Sequence, residues 1–316
     1  MLQAPRIAIP AGAGISPSQY GAIWHMLDHE LKLNVSAIEA TALGYQDLSK
    51  YNVIVVPPSF GPGLGAHRAT LTKWVEKGGT LITIASASNM LLDKKAPLTK
   101  ATPRGRAAST RPAPALGPGP VTMEGYGLIG GEETGEKDKT ATVMSKAARA
   151  FVPKGYNTYS FPEVPENLNA WIKPLLSSGA DTKEKEAHLK RADRRQRGFI
   201  SSGSILTLKL NKDHWLTYGA GERLPLLFTG RDAWLANPGV EVAGSFAGLE
   251  DLHLSGLLWP EGAGRLARTA WLTRERRGKG QVIIFTSDPV IRGFTLGSRR
   301  LLINAIVLGP GFGASR

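Results

Sequence analysis

Short aliphatic runs alternate with polar stretches through the first third of the chain, and glycine or proline closes most of the runs. Arg6–Pro10 (RIAIP) suits a central strand, and the Gly-rich loop Ala11–Pro17 follows it. Ser16 or Ser18 is placed to cap a helix over about Pro17–Leu33, with Pro17 tolerated in the first turn. Ile23, Leu27, Glu30 and Leu31, with Trp24 beside them, recur at helical spacing and predict one packed face. Val35–Ala40 reads as a second strand, and Asn52–Val56 as a parallel strand buried on both faces. Helix Ala66–Lys77 follows with Leu71, Trp74 and Val75 facing inward. Gly78-Gly79 ends it, and Thr80–Ala85 returns as a strand. This β-α-β-β-α-β order predicts an α/β, doubly wound sheet with right-handed crossovers, whose ligands bind beyond the carboxyl ends of the strands.

The pattern breaks in the middle. Residues 96–199 read as an insertion on the edge or top of the sheet. Thr102–Pro120 is rich in Pro, Gly and Ala and is expected to be mobile, and Asp181–Arg197 reads as a solvated, mixed-charge helix. Order resumes at Gly203. Ser204–Leu210, Leu224–Phe228, Val240–Val242, Thr269–Leu272 and Gln281–Thr286 read as strands, the last preceded by the turn Arg277-Gly278-Lys279-Gly280. Ser298–Leu308 reads as a closing helix stopped by Gly309-Pro310. The later strands complete the first sheet, so residues 1–316 are expected to form one domain with an insertion.

Composition removes several chemistries. No cysteine is present, which excludes disulfides, thiolate catalysis and Cys-ligated zinc. No run reaches the length of a membrane span, and the first residues lack the pattern of a signal peptide, so the chain reads as soluble. It begins almost directly with a strand, as a piece of a longer protein would. The net charge of +13 raises the question of nucleic acid, but the excess is spread along the chain with no RRM, KH or zinc-finger signature, so sequence-specific nucleic-acid binding is disfavoured.

Three blocks carry a resemblance. Tyr51–Pro57 with Trp74–Ile82 forms the first, and Gly203-Ser204 leading to Asp213–Gly219 (DHWLTYG) the second. The third and last is Gly278–Phe285 with Arg292-Gly293-Phe294-Thr295 and Arg299–Gly309 (RRLLINAIVLG). In this order they resemble the class I glutamine amidotransferase-like domain at the C-terminus of some bacterial M14-family zinc carboxypeptidases. The first half is also similar to domains of β-galactosidases and other amidotransferase-like proteins. The resemblance implies a flavodoxin-like, doubly wound, mostly parallel sheet with a long irregular insertion, in a secreted or periplasmic setting. It implies an M14 peptidase domain as partner, and zinc only in that domain, with no cofactor in this chain.

Two departures from the family matter. Amidotransferases need a cysteine on the tight turn after the strand that matches Leu81–Ile84, and here the turn reads Ala85-Ser86-Ala87-Ser88. The peptidase needs a His-x-x-Glu pair, and none of His25, His29, His67, His188, His214 or His253 has Glu at the third following position. An accessory domain without its own catalysis is therefore expected, with any hydrolase label inherited from the parent.

The remaining candidates are weighed against plain structural roles. Ser86 is the nearest thing to a nucleophile, and a serine hydrolase centred on it is one alternative. A stand-alone module binding a small molecule or peptide is the other, its crevice using Ser59, Gly61, Ser86, Ser88 and Arg292. Gly12, Gly14 and Ser59–Gly65 could offer backbone amides to an anion, although they form no nucleotide-binding fingerprint. Arg292 could hold a carboxylate or lock the closing helix through backbone carbonyls. His25, Asp28 and His29 share a helix face but lack a third convergent ligand from elsewhere, and read as ordinary helix residues. In the family a His like His214 begins a His-Pro-Leu stretch. Here Trp215 stands in the Pro position, and a structural role for His214 is expected.

Overall fold

The computed structural model describes residues 3–61, 63–93, 97–104, 199–292 and 294–312. The expectations for residues 105–120, for the charged run Asp181–Arg197 and for most of the insertion lie outside them. Five strands form a parallel ladder: β1 (Ile7–Ala11), β2 (Val35–Glu39), β3 (Val53–Val56), β4 (Thr80–Ile84) and β12 (Gly280–Phe285). Their spatial order is β12-β4-β3-β1-β2, the flavodoxin-like order in which the direction of winding reverses between β1 and β3. The α/β, doubly wound class expected from the sequence is the one observed.

Alternation along each strand builds two cores. Ile7, Ile9, Val53, Val55, Ile82, Ile84, Ile283 and Phe285 point to one face. There they meet Ile23 of α1 (Pro17–Trp24) and Leu301, Leu302, Ala305 and Ile306 of α5 (Leu296–Phe312). Ala8, Ile54, Val56, Leu81, Val282 and Ile284 point the other way, toward Leu71, Trp74 and Val75 of α2 (Arg68–Glu76). A strand covered on both sides is apolar at most positions, which is why these runs show no polar alternation; Thr80, Thr83 and Gln281 are buried exceptions.

The first helix departs from expectation in its second half. Beyond Trp24 the chain widens into a π-helical turn, His25–Glu30, in which the Leu31 amide donates to the Met26 carbonyl at 3.1 Å. The extra residue per turn brings Met26 and Leu27 side by side into the core, while Trp24 and Leu31 are 40% and 38% exposed. Ser16 takes the N-cap position but makes no capping bond; its hydroxyl lies 3.4 Å from that of Ser18.

The closing helix also runs on past its expected stop. Pro310 lies inside α5. A proline there removes one helical N–H, and the terminus is held from outside instead. Gln281 Nε2 donates to the Gly309 carbonyl at 2.9 Å, Gly309 packs directly on Thr80, and Phe312 stacks on Trp215 at 5.7 Å between ring centroids.

A feature not anticipated is an antiparallel wing on the β12 side. The turn at Gly278 (φ 58°) reverses the chain, so β11 (Ala270–Arg277) pairs antiparallel with β12, Arg277 opposite Gly280. Next come β9 (Glu241–Phe246), β6 (Ser201–Leu210) and β10 (His253–Gly256), with β7 (Arg223–Gly230) also on β6. The two-residue strands β5 (Thr102–Pro103) and β8 (Trp234–Leu235) pair beside β11. The short helices α3 (Leu249–Leu252) and α4 (Pro260–Leu266) complete the wing. Trp271, Phe228 and Phe246 continue the α5-side core into it.

Two glycines test this packing in opposite directions. A Cβ at Gly280 would lie 2.1 Å from the Val75 carbonyl oxygen and 2.3 Å from that of Gly79, both backbone atoms unable to move aside. Gly280→Ala is expected to lower unfolding stability by about 2–3 kcal/mol. Gly21, in α1, would place its Cβ in open space, so Gly21→Ala is expected to raise stability by about 0.5–1 kcal/mol. Urea unfolding of the two variants beside the parent checks both signs.

Candidate functional site

The carboxyl ends of β1, β3, β4 and β12 bring four loops to one edge of the ladder. At the switch point between β1 and β3 the two loops pair with each other. Ile15 and Ser59 form an isolated antiparallel bridge. The Phe60 amide donates to Gly14 O at 2.7 Å, and the Ser16 amide to Pro58 O at 2.9 Å. Gly12 and Gly14, at φ of 89° and 81°, make the turn that permits this. Their loop is thus engaged in holding the β3 loop, which accounts for the glycines without an anion.

The turn after β4 places one non-glycine residue, Ala85, in the left-handed region, where a nucleophile elbow would hold its reactive residue. Ala85 directly follows Ile84 and has φ 48°, in the left-handed region that non-glycine residues rarely enter. Such strain is characteristic of strand-to-helix turns that present a reactive side chain. The side chain presented here is a methyl group. Ser86, the nucleophile candidate, is one residue beyond the strained position, and its Oγ accepts a hydrogen bond from the Ser59 amide at 3.2 Å. It ties the β4 turn to the β3 loop. Ser88 is fully buried, its hydroxyl 3.0 Å from that of Thr83, and lies away from the crevice. Of the five expected ligand-binding residues, Ser59 and Ser86 are brought into contact. Gly61 (φ 75°) and Arg292 (φ 47°) are exposed on loops at the same edge, and Ser88 belongs to the core.

Asp288 was missed by sequence reasoning. It lies three residues past the end of β12, in register with the turn after β4 because Phe285 pairs with Ile84. Its Oδ1 is buried and has no hydrogen-bond partner among the described residues. Burial without a compensating cation pushes its pKa from the ordinary carboxylate value up to about 6. The available signal was positional: a carboxylate just beyond the carboxyl end of the most confident late strand. The neighbouring groups are fixed structurally. Trp271 Nε1 donates to Ser287 Oγ at 2.8 Å, and Ser298 Oγ donates to Pro289 O at 2.6 Å.

His214 takes a structural role. His214 Nδ1 accepts from the Leu216 amide at 3.1 Å, so its Nε2 carries the proton toward Glu241, 3.3 Å away. Burial lowers its pKa more than Glu241 raises it. His25 and His29 lie with ring centroids 4.7 Å apart, and His25 Nδ1 is 3.2 Å from Glu30 Oε1. Among the described residues no three His, Asp or Glu side chains converge as a metal site. Nor is any described helix long and apolar enough to cross a membrane.

No family model matches the chain, and no curated protein matches it. Solved structures do. A ThuA-like protein from Parabacteroides merdae aligns over 99% of this chain and 92% of its own length, at 10% identity and TM-score 0.47. A glutamine amidotransferase from Thermotoga maritima aligns over 96% and 82%, at 8% identity and TM-score 0.41. A β-galactosidase from Bacillus circulans sp. alkalophilus aligns over 97% of this chain, at 12% identity and TM-score 0.43, and the chain spans only 31% of that enzyme. At these identities the likeness is one of fold alone.

Asp288 makes stability depend on pH with a definite sign. Its folded pKa lies above the unfolded value, so its contribution is fully present below about pH 4 and is lost as pH rises through about 6. The loss is expected to reach about 2–3 kcal/mol. Asp288→Asn should abolish this part of the profile, so the variant gains on the parent between those pH values and stays ahead above them. Urea midpoints taken across the window check it.

Proposed function

We propose that the chain is a non-catalytic, amidotransferase-like α/β module whose carboxyl-edge loops hold or position rather than react. The observation that carries this is the strained turn at Ala85, where the residue in the left-handed region bears a methyl group. The bond from the Ser59 amide to Ser86 Oγ supports it, because the serine hydroxyl is already part of the loop structure. The purified chain is expected to show no glutaminase or esterase turnover and no covalent labelling by a fluorophosphonate. Labelling that disappears in Ser86→Ala would establish the serine-hydrolase reading and remove this one.

The order of the three sequence blocks extends the proposal to a setting beside an M14-type zinc carboxypeptidase, in packing, substrate positioning or assembly. Zinc then belongs to the peptidase, and this chain needs no cofactor. A peptidase domain encoded with this chain should co-elute with it in size-exclusion chromatography. Independent migration of the two counts against the association.

Asp288 favours a second role for the same edge, the binding of a small ligand. A buried carboxylate oxygen without a partner is costly, and a donor-bearing ligand such as an amine would satisfy it. Primary amines and amino sugars are expected to raise the melting temperature of the parent and not that of Asp288→Asn, since a ligand selective for the folded state must stabilise it. Equal shifts in both proteins would exclude Asp288 as the recognising group.

A further inference from the structure

The segment between β6 and β7 fastens the end of α5, and one imidazole fixes its shape. Trp215–Thr217 forms a single, buried 3-10 turn with His214 at its N-cap. On α5, Asn304 Nδ2 donates to Leu216 O at 3.0 Å and to Tyr218 O at 2.8 Å. Trp215 stacks on Phe312 with 10° between the ring planes. That contact matters because Pro310 offers no N–H to the last turn of the helix.

The cap bond demands a neutral ring. The Leu216 amide is a donor, so His214 Nδ1, 3.1 Å away, must present a lone pair. A proton added at Nδ1 would point at the Leu216 N–H, and the cap would be lost. Two charges from other elements act on the ring. Glu241 of β9 lies 3.3 Å from Nε2 and favours the cation, but its other oxygen accepts from Arg274 Nη1 of β11 at 2.6 Å. Arg274 Nη2 is buried with no hydrogen-bond partner among the described residues, so its charge is only partly met and opposes a second cation. On the segment itself, exposed Lys212 and Asp213 precede the ring, with Lys212 3.4 Å from Glu222. From α5 the turn meets the uncharged Asn304 and Phe312, and the Arg300 guanidinium lies beside Gly219, beyond the turn.

We infer that His214 is an acid-sensitive latch: a proton gained at Nδ1 opens the Trp215–Thr217 turn and frees the last turn of α5, while the parallel ladder stays folded. The sign follows from the cap. The fold holds the neutral ring, so the latch is closed above the ordinary imidazole pKa of about 6.5 and loosens as pH falls below it. Burial, which lowers the folded pKa, acts in the same direction. Asp288 shifts global stability the opposite way over part of this range, so the latch is read locally.

The test is deuterium exchange followed by mass spectrometry at about pH 7.5 and about pH 5, expressed as protection relative to the intrinsic rate at each pH. Peptides covering Trp215–Tyr218 and Ala305–Phe312 report the latch, and one covering β3 reports the ladder. The variant is His214→Asn, whose side-chain oxygen can accept the cap bond without titrating and which keeps Asp288. In the parent, protection of the two latch peptides is expected to fall at least about fivefold at the lower pH while β3 changes less than about twofold. In His214→Asn the latch peptides should hold their protection. Equal losses in parent and variant overturn the inference, as does a loss in the parent shared by β3 or absent from the latch. Nitrogen-15 NMR of the parent's histidines gives a second reading that needs no variant. It should show His214 protonated at Nε2 alone near neutral pH, with loss of protection tracking its titration. A proton on Nδ1 at neutral pH overturns the latch.

Discussion

The burial of both faces of the ladder β2-β1-β3-β4-β12 is the constraint on which the remaining structure depends. Each buried Val or Ile contributes about 1.5–3 kcal/mol, and the strands are stacked so that alternate residues feed two separate cores. A slip of one residue would exchange the faces of a whole strand, so the register is held tightly. That register brings the loops after the strands together at the carboxyl side.

β12 is the seam of the molecule. It meets β4 in parallel on one side and β11 in a tight hairpin on the other. Gln281, at its start, receives a hydrogen bond from Arg274 Nε on β11 and donates to Gly309 O at the end of α5. Three elements are tied by one buried amide, which explains why α5 continues through Pro310. Phe285, at the other end of β12, sets the height of Asp288 relative to the Ala85 turn. The candidate site therefore owes its geometry to a strand that most of the chain length separates from β4.

Much of the scaffold was legible in the residues. Asn52–Val56, Thr80–Ala85 and Gln281–Thr286 are mostly apolar runs and became β3, β4 and β12 within one residue at each end. The inward face of α2 was read correctly as Leu71, Trp74 and Val75. The site was less legible. Ser86 and Ser88 look equivalent in sequence, yet one bonds a neighbouring loop and the other is buried in the core. The difference arises because Ala85 enters the left-handed region, a choice made by the surrounding packing and not by alanine's own preference. The π turn after Trp24 was illegible for a similar reason: one additional residue in the turn is selected by the core that Met26 and Leu27 fill.

The sequence by itself determined the strand–helix alternation, the positions of most strands, and the lack of a cysteine for the elbow. These are local properties, set by side-chain periodicity and by which atoms are present. The tertiary structure alone decided the antiparallel wing and the isolation of the Asp288 carboxylate. Each of these depends on which distant segments lie side by side. Pairing of that kind follows from burial summed over the whole sheet, and no window of the sequence contains it.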